Sequence, residues 1–147
     1  MGRYTVSREN FTPTAGNDAL TLISGTGRRI RLIEVRFSGR GTTSAAQQVT
    51  VSRSTAGTTP GGAIVPSKAD HSEQLASNFT TATTWAAQPT PETNGIVCGF
   101  NALGGAHAFP APRGAVLEAR SGECISLRAA AGVTFQTMSL SCVVEED

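Results

Sequence analysis

Two histidines, His71 and His107, are the first candidates for metal or acid–base chemistry, and they stand far apart in the chain. A metal site on a β scaffold needs a closely spaced histidine pair and a nearby carboxylate, so that three ligands can converge on one ion. Only Asp70, His71 and Glu73 come near such a set. They lie in the polar run KADHSEQ, which reads as a solvated loop. His107, in GGAHAF, has no evident partner and reads as a strand-edge residue. Nucleophilic catalysis fares no better, because no G-x-S-x-G elbow occurs and nothing singles out one serine among many. SGTGRR (24–29) places two glycines beside arginines but lacks the Lys-Ser/Thr pair and the following helix of a phosphate-binding loop, so a hairpin turn is expected there. Cys98, Cys124 and Cys142 are odd in number and form no C-x-x-C pair. Each sits in an apolar, strand-like setting (IVCGF, ECISL, LSCVV), where a free thiol behaves as a small core residue. The expectation is a protein that is not an enzyme, with no metal and no cofactor.

Composition and charge narrow the remaining classes. Twelve basic and 11 acidic residues leave a formal charge of +1, which supplies no general attraction for nucleic acid or an anionic membrane. Arg28, Arg29, Arg31, Arg36 and Arg40 cluster in sequence and Glu145, Glu146 and Asp147 follow one another, both reading as solvated surfaces. Aromatic residues make up only 5%, with Trp85 the single tryptophan and Tyr4 the single tyrosine. That is thin material for the stacking platforms of RNA or carbohydrate binding, so a core or interface anchor is the economical role for Trp85. MGRYTVSREN has no apolar stretch and nowhere do about 18 apolar residues run together, so neither a signal peptide nor a membrane span is expected. The N-F-T triplets at Asn10 and Asn78 match glycosylation acceptors, which without secretion are accidental.

The elements that would carry any function are strands. Of 147 residues, 16 are glycine and 7 proline, and Ser and Thr together supply roughly a fifth. Branched Thr fits a pleated surface, while Ser, Gly and Pro suit turns. ALTLISG (19–25) puts Leu20 and Leu22 on one face. In RIRLIEVRFSG (29–39), Ile33, Val35 and Phe37 alternate with Glu34 and Arg36, whereas Ile30 and Leu32 fall on the opposite phase; that shift calls for a β-bulge or a second cover. QVTVSR (48–53) carries Val49 and Val51, and Phe79 and Trp85 bracket a Thr-rich strand. QPTPETNG (88–95) reads as loop, since its prolines and glycine defeat a ladder. GIVCGFNA (95–102), the HAF stretch ending at Pro110, AVLEAR (115–120), ECISLRA (123–129) and VTFQTMSLSCVVE (133–145) complete the set. Ser121-Gly122 is expected to close a tight hairpin. About eight strands separated by turns predict one all-β domain, an antiparallel β-sandwich of jelly-roll-like form. Residues 1–19, polar and ending in the turn-rich TPTAGND, read as an extended N-terminal arm ahead of a sandwich spanning 20–147, with at most a short strand over Tyr4–Arg8.

The strings YTV, PTAGNDALTLI, RRIRLIEVRFSGRGTTSAA, VSRSTAGTTPGGAI and ATTWAAQPT, with the closing strands, resemble capsid decoration or cement proteins of tailed bacteriophages over most of the chain. The resemblance implies a jelly-roll-like homotrimer on the outside of the expanded head, made in the host cytoplasm and bound to the major capsid protein. It implies no membrane and no direct nucleic-acid partner. These are structural strings, so no contact residue carries over with them. An arm that adds a strand to a neighbour would place the capsid or inter-subunit contacts on Arg3, Tyr4, Val6, Arg8 and Phe11. Any protein that binds the assembled lattice better than its dissociated parts stabilises it, and linkage into trimers strengthens attachment.

Three other readings compete. A tail or baseplate adaptor or host-glycan binder would use Trp85. A small jelly-roll enzyme lacks its metal and nucleophile patterns, and a packaging factor working through Arg28–Arg40 would bind nucleic acid with a steep salt dependence.

Overall fold

The computed structural model describes residues 2–69, 76–93, 95–104 and 117–147, together with the backbone of residues 106–110. Among these residues there is no helix. In chain order the strands are β1 (Gly2–Phe11), β2 (Asp18–Ile23), β3 (Ile30–Gly39), β4 (Ala46–Thr55), β5 (Thr58–Gly61), β6 (Ser67–Lys68) and β7 (Thr80–Ala82). They continue with β8 (Thr84–Ala87), β9 (Thr90–Pro91), β10 (Ile96–Asn101), β11 (Ala106–Pro110), β12 (Leu117–Ala119), β13 (Glu123–Ala129) and β14 (Met138–Glu146). The first sheet has the order β11-β3-β14-β1-β6, with β12 continuing along the same edge of β3. The second has the order β10-β4-β13-β2-β7, with β9 beside β4. A two-stranded ribbon, β5–β8, stands apart. All the pairings are antiparallel, and the two sheets pack as a sandwich.

Period-two alternation builds the core. On β14, Met138, Leu140, Cys142 and Val144 are buried while Ser139, Ser141 and Val143 face outward. On the second sheet Leu20, Leu22, Val49, Val51, Ile125 and Leu127 are all fully buried, each such side chain contributing roughly 1.5–3 kcal/mol. Strand β3 resolves its conflict of phase with a bulge. Its register against β14 slips between Val143 and Val144, so Ile30 and Leu32 point inward along with Val35 and Phe37. Ile33, assigned to the buried face by simple alternation, is the residue displaced and is only half-buried. Phe37 stacks on Phe100 of the opposing sheet, centroids 5.7 Å apart, and Tyr4 meets Phe79 edge-on at 5.6 Å.

Residues 2–11 are not an arm. They form an interior strand of the first sheet, paired from Gly2↔Glu146 to Phe11↔Met138 with β14 and at Tyr4↔Lys68 with β6. The physical reason is in the alternation: Tyr4 and Val6, 3% and 1% exposed, fill the core while Arg3 and Ser7 face water. The polar side chains that suggested an arm are the wet face of a strand. Its bulge before Phe11 sets Asn10 at φ 50°, where Asn10 N donates to Ser139 Oγ at 3.0 Å. The turn after Phe11 is docked too, since Gly16 N donates to Ala129 O and Ala129 N to Asn17 O.

Other expectations shift by smaller amounts. The turns at 24–29 and 121–122 are reverse turns that carry the chain from one sheet to the other, not hairpins between paired strands. Residues 133–137 lie outside the last strand, though Phe135 still packs into the core. The Thr-rich stretch is two short strands, with Phe79 in the core just before β7 and Trp85 on β8 of the ribbon. Thr90–Pro91, expected as loop, makes a two-residue pairing on β4, where a proline at a sheet edge is tolerated.

Candidate functional site

Of the five proposed contact residues, the fold makes two unreachable, because Tyr4 and Val6 are core. Arg3 lies on the outer face of the first sheet and pairs with Glu145. Arg8 shares the inward phase of Tyr4 and Val6 but reaches the open end of the sandwich. There its guanidinium bridges the sheets, Nη1 donating to Ala19 O at 2.5 Å, and lies 4.0 Å over the Phe11 ring. Burial lowers its pKa. Phe11 is half-buried against the core. Asp70, His71, Glu73 and the side chain of His107 lie outside the described residues. Among the described residues no group of three or more His, Cys, Asp or Glu side chains is disposed around a possible metal ion.

Two surfaces gather the remaining polar groups. The first is the outer face of the first sheet. Thr5, Ser7 and Glu9 of β1 lie beside Ser139, Ser141 and Val143 of β14, and Glu34, Arg36 and Ser38 of β3 follow. Most of its side chains are short, and two shallow hollows of about 300 and 260 Å³ meet at Ser7, Arg36 and Ser141. Charges on this face pair with one another: Arg3 with Glu145, Arg36 with Glu34, Arg31 with Glu118 (3.3 Å) and Asp147 (3.1 Å), and Arg29 with Glu118 (3.2 Å). Pairs this exposed add about 0–1 kcal/mol each, so their effect is to offset most of the charge on the face, where Glu9 makes no ion pair among the described residues.

The second is a cleft of about 240 Å³ at the open end of the sandwich, between the β1–β2 turn and the ribbon. Arg8, Thr14, Asn17, Thr84, Trp85 and Gln88 are among its walls. Behind it runs a buried hydrogen-bond chain. Trp85 Nε1 donates to Thr21 Oγ1 at 2.9 Å, and Thr21 Oγ1 donates to Asp18 Oδ2 at 2.6 Å. Asp18 Oδ1 accepts from Arg128 Nε at 2.8 Å, and Arg128 Nη2 donates to Pro89 O at 2.6 Å. Gln88 Oε1 closes the chain by accepting from Asp18 N. The chain pins the ribbon and the segment after it onto the second sheet. Gly57 makes this close packing possible, because a Cβ there would collide with Ala87 O and sit 2.9 Å from Trp85 Cε3.

On the same outer face of the second sheet, Ser54 and Ser126 share a 2.6 Å hydrogen bond. Ser52 Oγ is buried without a hydrogen-bond partner among the described residues, and a Cβ on Gly95 would lie 3.1 Å from Ser52 Cβ, so backbone covers that hydroxyl. The three thiols are buried and free. Burial pushes Cys142 up to about 12 and Cys124 up to about 11, nearby Asp18 and Glu123 adding to the latter, and it raises Cys98 as well. Thiols so placed are poor nucleophiles.

Sequence reading singled out Trp85 and Arg8 but missed Asp18, Thr21, Gln88 and Arg128. An Asp in GNDAL carries the signature of a turn, and only the pairing of Arg128 with Asp18 across β13 and β2 turns it into a buried anion. No protein-family model, no curated protein and no solved structure matches the chain.

Proposed function

We propose that the protein is a structural, non-enzymatic phage virion protein that binds the outside of the capsid through the first sheet and stabilises it, acting as a homotrimer with the major capsid protein as its partner. The observation that carries this reading is the broad outer face of β1, β14 and β3, where serine and threonine side chains predominate and ion pairs offset most of the charge. Such a face can meet a second flat protein surface without freezing many long side chains or burying much unpaired charge. It replaces the arm as the contact region, with Arg3 and Ser7 exposed on it and Ser141 half-buried between them and β3.

Strand order supports the jelly-roll part of the reading. With the short strands set aside, one sheet runs β1-β14-β3-β11 and the other β2-β13-β4-β10, so the chain changes sheet from β1 to β2, β2 to β3 and β3 to β4, and again from β10 to β11 and β13 to β14. Wrapping a double-layered antiparallel ribbon produces this alternation, an architecture common to viral capsid and lectin domains.

The first test is the copy number in purified virions by quantitative mass spectrometry. Hundreds of copies per particle are expected for a lattice-bound protein. A handful would move it to the tail or baseplate, and absence would end the virion reading. The second test is binding of Ser141→Arg to expanded heads. Loss of binding with an unchanged melting temperature is expected, and undiminished binding would remove this face from the interface.

A further inference from the structure

We propose that the cleft between Arg8 and Trp85 is a binding site for an acidic sugar, a single pyranose ring bearing a carboxylate. This goes beyond capsid docking and does not rest on it, since the cleft opens at the end of the sandwich and the docking face is the outside of the first sheet.

Charge comes first. Arg8 has no acidic partner among the described residues; its one hydrogen bond goes to a neutral carbonyl, Ala19 O. The cleft's own carboxylate, Asp18, is buried in an ion pair with Arg128 and makes no ion pair with Arg8. A half-buried guanidinium with N–H groups to spare favours a carboxylate, which it can hold through two parallel bonds. Hydrogen-bonding capacity comes second. The Asn17 amide makes no side-chain hydrogen bond among the described residues, and Gln88 uses only its carbonyl oxygen, leaving its NH₂ for a ligand. Thr14 and Thr84 add hydroxyls on the rim. Shape comes third. Trp85 walls one side, its Nε1 tied to Thr21, and an indole fixed in this way suits the C–H face of a sugar ring. At about 240 Å³ the cleft falls below the roughly 300–1,000 Å³ of drug-sized sites, so it takes one ring and excludes a longer ligand from full burial.

Trp85 is the only tryptophan in the chain, so intrinsic fluorescence reports on the cleft directly. The experiment is a fluorescence titration of the full chain with sodium glucuronate, glucose and sodium acetate. A saturable change with glucuronate is expected, with glucose roughly tenfold weaker, the factor that corresponds to about 1.4 kcal/mol for the carboxylate contact. Acetate should give no saturable change. Asn17→Asp, nearly isosteric and on a half-exposed turn, should weaken glucuronate by a similar factor through repulsion while leaving the melting temperature unchanged; Arg8→Gln should erase the preference for glucuronate over glucose. No saturable glucuronate response in the parent protein, an equal response to acetate, or unaltered affinity in Asn17→Asp would overturn the proposal. A methyl glucuronide arm separates a free acid sugar from the end of a polymer: equal affinity assigns the site to a terminal residue, and loss of binding restricts it to the free sugar.

Discussion

Asp18 gives the sharpest test of the packing logic, because its side chain is 0% exposed and holds a charge. Asp18→Asn keeps the volume and one acceptor for Thr21, but it removes the negative charge facing Arg128. A hydrogen bond to a charged group contributes about 1.5–3 kcal/mol, and breaking one side of a fully buried ion pair costs about 3–5. Arg128 is 20% exposed and keeps its bond to Pro89 O, so water can relieve part of the loss. The expected destabilisation is therefore about 2–3 kcal/mol. Urea unfolding followed by Trp85 fluorescence measures it, with the slope unchanged if the denatured state is unaltered. Little of the effect should vanish in 1 M NaCl, since a buried pair is weakly screened. On an Arg128→Met background Asp18→Asn should cost much less, because the charge it strands has gone. A cost below about 1 kcal/mol, or an equal cost on both backgrounds, would refute the account of a coupled buried pair.

Thr21→Val, nearly isosteric, should lose about 1–3 kcal/mol by orphaning both Trp85 Nε1 and Asp18 Oδ2, and chemical denaturation checks it. Leu127→Ala should cost about 2–5 kcal/mol, whereas Leu103→Ala, at a side chain 55% exposed, should stay within about 0.5. Deleting residues 2–11 should abolish the cooperative thermal transition, and a truncated chain that melts like the parent would restore the arm. The thiols should resist Ellman's reagent in the native protein at pH 8 and react on unfolding. Because burial raises Cys124 and Cys142 in the folded state only, the fold binds more protons than the unfolded chain above the ordinary thiol value. Stability from this source is fully present at neutral pH and falls as pH rises from about 9 towards about 12, as denaturation midpoints across that range should record.

Alternation made most of the sandwich legible. Leu20 and Leu22, Val49 and Val51, and Met138 to Val144 are buried on the faces their spacing assigns. The conflict of phase in β3 foretold its bulge. Strand β1 was misjudged because its buried residues, Tyr4 and Val6, sit among charges that belong to the wet face. Whether such a segment pairs depends on β14, which is distant in sequence. The cleft was hidden for the same reason. Arg8, Asn17, Trp85 and Gln88 come from three separate segments, and nothing local distinguishes Asn17 or Gln88 from ordinary turn residues. Turns betrayed their presence through glycine but not their destination, since a reverse turn that changes sheet and a hairpin use the same residues.

The placement of β13 and β14 has a consequence for biosynthesis. β14 separates β3 from β1, and β13 separates β4 from β2, so each sheet receives its middle strand well after the strands it separates have been translated. A nascent polypeptide that has emerged as far as residue 120 holds four long strands, β1 to β4, whose inner edges lack β13 and β14. Such edges are templates for intermolecular pairing, and long-range closure is slow in all-β proteins. Ribosome-bound chains of this protein should therefore stay protease-sensitive until β14 clears the exit tunnel, and crowded synthesis should favour aggregation of truncated products over premature folding.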